Sequence, residues 1–143
     1  MKLPPAVMVH GLDQARAALA PGLPVTLLSG PGAGIYAGVG WWRALVDAAT
    51  HGAAPPPDIL DCGDATGRAL EAVRAGQRFL VLRTEPVLFE DVAGRAARGG
   101  GAVFAEAPAA LDLAGRGALR RLEAWLRGEE EGQGLCPCTP LGP

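Results

Sequence analysis

Lysine is nearly missing from this 143-residue chain: Lys2 stands against twelve arginines, and the formal net charge is −2. The arginines are scattered, so they do not form the basic face that nucleic acid requires. Long apolar runs are missing as well. No segment approaches the roughly 20 uninterrupted apolar residues of a membrane span. The short run Ala6–Val9 is followed at once by Asp13 and Arg16, which rules it out as a signal core. Cysteine is scarce and odd in number, three in all, which points to a reducing compartment and not to a disulfide framework. Together these absences predict a cytoplasmic chain with neither nucleic acid nor a membrane as partner.

The apolar share is 49% and leans on alanine, which predicts helices packed close to their neighbours. A chain of this length forms one domain and buries roughly 68% of its extended surface. We expect residues 1–127 to be that domain. Residues 128–143 (GEEEGQGLCPCTPLGP) differ in composition and read as an acidic, Gly/Pro/Cys-containing tail. Cys136-Pro137-Cys138 offers two thiolates, too few for a closed zinc site, so no metal site is expected.

The chain is organised around Pro24–Ala49. The run PVTLLS reads as a buried strand, Gly30-Pro31-Gly32 breaks it, and a long helix follows from about Ala33. Its positions Val39, Trp42, Val46 and Ala49 share a stripe, which Trp41 and Leu45 widen beyond what one sheet face needs. A neighbouring helix or a second copy of the chain would cover the excess, so a homodimer through the Trp41/Trp42 helix is one expectation. The unit recurs in weaker form. Strands are expected at Ala6–His10, Val25–Ser29, Asp58–Asp64, Arg78–Arg83 and Ala102–Ala105. Helices are expected at Leu12–Ala20, Thr66–Ala75 with Asp64 as N-cap, Val87–Arg98 and Gly117–Arg127. Leu111–Leu113 reads as a brief turn.

Alternating strands and helices mean a parallel sheet. The expected fold is an α/β three-layer sandwich of about five parallel strands, flavodoxin-like or Rossmann-like. Half of a (β/α) barrel is the alternative.

In such sheets ligands bind beyond the carboxyl ends of the strands, and polar residues collect there. His10 closes the first strand and Ser29 the second. Asp61, Cys62 and Asp64 close the third, Arg83 and Thr84 the fourth, and Glu106 the fifth. Asp61, Cys62 and His10 are the catalytic candidates. Cys62, just before a helix N-terminus, would be a nucleophile with a lowered pKa, with His10 as its base if the first and third strands are neighbours. Asp61 needs a partner at the end of a buried strand, and Arg83 is the obvious one. Ser29, Gly30, Gly32 and Gly34 would cradle an anion with backbone N–H groups, or else form a tight turn with close helix packing. Gly32–Ala37 matches G-x-G-x-x-A, but Pro31 removes a donor and too few strands follow for a dinucleotide fold. No Lys-Ser/Thr pair follows, which excludes a P-loop. Asp61 and Thr84 also fit the strand ends of a phosphoacceptor receiver domain, yet His10-Gly11 and Glu106 stand where that chemistry needs an acidic pair and a lysine.

The segments LLSGPGAGIYAGVGWWRAL and ILDCGDATGRALEAVRAG together resemble small bacterial α/β proteins that share the LLS…G…WW and LDCGD…G.AL patterns. That group has no assigned activity. The resemblance spans the middle half of the chain and implies no catalytic residue and no cofactor. The function expected from the residues is binding of a small anionic or phosphorylated metabolite at the carboxyl edge of the sheet. The rival expectation is a non-catalytic interaction module built on the Trp41/Trp42 helix.

Overall fold

A computed structural model describes residues 2–129. The Cys136-Pro137-Cys138 segment lies outside the described residues. Six strands, β1 (Ala6–Val9), β2 (Thr26–Ser29), β3 (Asp58–Asp61), β4 (Phe79–Val81), β5 (Ala102–Phe104) and β6 (Ala110–Asp112), form one sheet in the order β5-β4-β3-β2-β1-β6. Every pairing is parallel, and the sheet is open. Six helices alternate with the strands: α1 (Leu12–Leu19), α2 (Ala33–Tyr36), α3 (Gly38–Thr50), α4 (Thr66–Arg74), α5 (Pro86–Arg98) and α6 (Ala118–Leu126). The α/β class and the parallel sheet are as expected from the sequence.

From β1 to β5 each strand is laid down on the same side of the last. Right-handed crossovers then send their helices to one face. Helical residues Ala15, Trp42, Val46, Ala69, Ala72, Val92 and Leu122 accordingly share one core with Val7, Leu27, Leu60, Leu80 and Leu111. The alternate residues of the same strands, Ala6, Met8, Leu28, Ile59, Phe79, Val81 and Ala110, make a second core. The layer over that face is thin. Leu3 and Ala107 pack on it from the N-terminal segment and from the link between β5 and β6.

That link dictates the shape of the sheet. Fully extended, the chain from Phe104 to Ala110 reaches about 21 Å, whereas the edges of a flat six-stranded sheet stand about 24 Å apart. The link must also descend from the carboxyl end of β5 to the start of β6. The sheet therefore curls, and its second face is concave. Phe104 of β5 lines one cavity together with Ala6 of β1 and Thr26 of β2, as a curled sheet requires.

Four local expectations need correction. β6 occupies the stretch read as a turn: its Leu111 is buried in the helix-side core while Ala110 and Asp112 face the other way. β2 separates β1 from β3, so the first and third strands are not neighbours. Asp64 does not cap α4; Ala65 holds that position, with no side-chain cap. The long helix after β2 is split, because Gly38 adopts φ +88° and starts α3 on a new axis. Elsewhere the end signals hold. Pro86 opens α5 behind Glu85, and Gly76 at φ +95° follows Ala75, the C-cap of α4.

Trp42 is fully buried inside the chain. Its indole Nε1 donates to Asp58 Oδ2 at 2.7 Å, and Arg43 Nη2 and Gln77 Nε2 donate to the same carboxylate at 3.0 and 2.8 Å. This clamp ties α3 to the start of β3; of the two residues that widen the stripe, Leu45 is buried and Trp41 stays partly exposed.

Candidate functional site at the carboxyl end of the sheet

Side chains alternate between faces along a strand. Two residues beyond an inner-face apolar residue, the next side chain points to the same concave face. The step from Met8 leads to His10, from Leu28 to Gly30, from Ile59 to Asp61, from Val81 to Arg83, and from Ala110 to Asp112. The apolar inner core is thus topped by a rim of polar side chains from four strands, with Gly30 of the fifth leaving a gap among them. Backbone bonds hold that register past the strand ends: Cys62 N donates to Val81 O and Arg83 N to Gly63 O.

Two pairs occupy the rim. His10 Nε2 lies 2.8 Å from Asp112 Oδ1, and Ala114 N donates to the same oxygen at 2.9 Å. The carboxylate is thereby fixed from two sides and holds the ring. Gln14 Oε1 accepts from His10 N at 2.8 Å and anchors the backbone beneath it. The ring lies over Gly30, where a Cβ would come within 2.9 Å of His10 Nδ1 and 3.2 Å of Tyr36 Oη. Gly30 therefore makes room, and its neighbours bring two polar atoms against one point. In the second pair, Arg83 Nη1 is 3.5 Å from Asp61 Oδ1. Asp61 is buried, and the same oxygen accepts from Gly63 N at 2.8 Å. At 3.5 Å the ion pair is too long for a good hydrogen bond, and the half-exposed Arg83 fork faces solvent.

The other candidates divide. Ser29 is buried and donates to Gly30 O while accepting from Asp61 N, which joins the ends of β2 and β3. Gly32 takes φ +71° to turn the chain, and Ala33, Ile35 and Tyr36 N–H groups bond back to Gly30 and Gly32 carbonyls. Those donors are spent inside the turn. Gly34 allows close packing, since a Cβ there would meet Cys62 Sγ at 2.8 Å. Thr84 bonds to Thr66 across 3.3 Å, and Asp64 and Glu106 are exposed.

Cys62 does not match the expected nucleophile. It points to the helix-side core and is fully buried. Burial first, and then the charge of Asp61, push its pKa up to about 12. The helix that was to lower it begins only at Thr66, and His10 lies on the opposite face. Two rim residues escaped the sequence reading. Asp112 was hidden in the unrecognised strand β6. Tyr36 falls within the one long helix expected from about Ala33 and carries no signal of its own; it is 70% exposed, with its hydroxyl beside Gly30 at the rim.

Among the described residues no group of three or more His, Cys, Asp or Glu is placed to hold a metal ion, and no helix is long and apolar enough to cross a membrane. Fold and site together define an open parallel α/β protein with a polar rim on the concave face of its sheet. Compared with models of known families and with curated proteins, the chain matches none.

Proposed function

We propose that the protein binds a small anionic metabolite, phosphorylated or carboxylated, on this rim. Arg83 supplies the charge and His10 a second, directional contact. The observation that supports the reading is the Arg83 guanidinium, 41% exposed and held over β3 by a buried carboxylate that it does not fully engage. A guanidinium with donors to spare at the carboxyl ends of parallel strands is suited to forked binding of an oxyanion. Isothermal calorimetry with inorganic phosphate tests it. Binding that disappears in Arg83→Ala, with the fold intact, is the expected result; equal heats from both proteins would refute it.

A second reading, association through α3, rests on Trp41, which is 37% exposed beside the buried Trp42. Light scattering after size exclusion tests it: a dimer that Trp41→Ala converts to monomer supports the reading, and a monomer at all concentrations refutes it.

A further inference from the structure

His10 is held in a way that simple anion binding does not need. An ionised Asp112 only accepts hydrogen bonds, so in the neutral ring Nε2 carries the hydrogen and Nδ1 the lone pair. Among the described residues Nδ1 has no protein partner, and neither has the Tyr36 hydroxyl. Both lie against the point above Gly30 where a side chain is missing. A carbon at that point would be only 2.9 Å from Nδ1, so the point itself holds no ligand atom. The oriented base and the hydroxyl donor flank the surface just outward of it, over β2, while the Arg83 fork sits over β3, one strand away. Adjacent strands are about 5 Å apart, so one short molecule reaches both.

We infer that the rim carries out proton transfer on a small carbonyl compound whose anionic group sits on Arg83. The inference rests on the anion site proposed above. His10 Nδ1 takes a proton from the carbon next to the carbonyl. The C–H electron pair becomes the C=C bond of an enolate, and the enolate oxygen accepts a hydrogen bond from the Tyr36 hydroxyl. Return of the proton from His10 to the same carbon restores the ketone, so no other reactant is consumed. When the ring exchanges its proton with solvent in between, the carbon is labelled. Asp112 is the positioning residue: it fixes the tautomer and the ring plane. Of the other ionisable groups at this end of the sheet, Asp61 is engaged beneath Arg83, and Asp13, Asp64 and Glu106 are exposed.

The test is hydrogen–deuterium exchange of the methyl group of hydroxyacetone phosphate, 4-oxopentanoate and hydroxyacetone, followed by proton NMR with the full chain in D2O. The first two carry a methyl ketone the same short distance from a phosphate or a carboxylate; the third carries no anion. Exchange of an anionic ketone and not of hydroxyacetone is expected, and the faster of the two identifies the anion. His10→Gln should slow exchange on the order of 10²-fold or more, and Tyr36→Phe, at an exposed position, on the order of 10²-fold. Asp112→Asn should lower the rate at saturating ketone without moving the half-saturating concentration, and should shift the His10 ring nitrogen resonances to the other tautomer. Arg83-dependent binding without exchange, or exchange that survives His10→Gln, overturns this inference and leaves the anion site standing. Failure of both anionic ketones to bind overturns the anion site as well.

Discussion

His10 and Asp112 meet at 2.8 Å across a sequence separation of 102 residues, which joins the ends of the first and last strands. The pair exists because β6 is laid beside β1 on the far side from β2, and because Gly30 leaves the imidazole space. Gly30 has no positive φ, so Gly30→Ala strains no backbone. Its added Cβ would meet His10 Nδ1 at 2.9 Å. We expect Gly30→Ala to fold, to lower Tm by a few degrees, and to break the His10–Asp112 bond, visible as a change in the His10 ring resonances. An unchanged ring environment would mean that the contact is not formed in solution.

Gly34→Ala should behave differently. Its Cβ meets Cys62 Sγ at 2.8 Å and Asp61 O at 3.1 Å inside the core, and overpacking of this kind costs about 1–3 kcal/mol. Cys62→Ala in the same chain should recover part of that loss in urea unfolding, because the flexible neighbour is removed while the carbonyl remains.

The raised pKa of Cys62, about 12 against an ordinary 9.0 for a thiol, has a direct pH consequence. Above pH 9.0 the unfolded chain loses the thiol proton while the folded chain keeps it, so the folded state binds more protons and stability falls as pH rises. The contribution is fully present below the unfolded value and is lost towards the folded one. Wild type should therefore lose stability between pH 9.0 and 12 faster than Cys62→Ala, measured as the difference of their denaturant midpoints. Parallel curves would contradict the buried placement of the thiol.

Asp58 anchors a buried cluster with Trp42, Arg43 and Gln77. Asp58→Ala strands the Trp42 indole, the Gln77 amide and the Arg43 guanidinium at once. Removing one partner of such a pair costs about 3–5 kcal/mol, so urea unfolding should show a loss of that order. A loss below about 1 kcal/mol would mean that water replaces the carboxylate at no cost.

Much of this was legible in the residues. Apolar strand cores, glycine turns and helical stripes give the parallel α/β class, and polar strand ends give His10, Asp61 and Arg83. The rim position follows from a rule of two: a polar residue two beyond an inner-face apolar one shares its face. What failed was short or non-local. β6 is three residues long, with Leu111 its one large apolar residue, too little for a strand signal, so Asp112 was missed. The partner of His10 depends on strand order, which is set by the 105–109 link and not by any local pattern. Cys62 turns to the helix-side core because it stands one residue beyond Asp61, and that parity prevails over its nearness to a helix N-terminus. The polar partner of Trp42 is beyond any local pattern as well, because the carboxylate that its indole meets lies a whole loop away, at Asp58.

The central claim is that one concave rim, and no other part of the described chain, takes the anion. Chemical-shift mapping of the amides during titration with inorganic phosphate measures this directly. The account predicts saturable shifts at His10, Gly30, Asp61–Arg83 rim positions and Ala114, all lost in Arg83→Ala. Shifts centred on the cavity of about 560 Å³ at the opposite end, around Lys2, Leu3 and Trp125, or no saturable shifts at all, would contradict it.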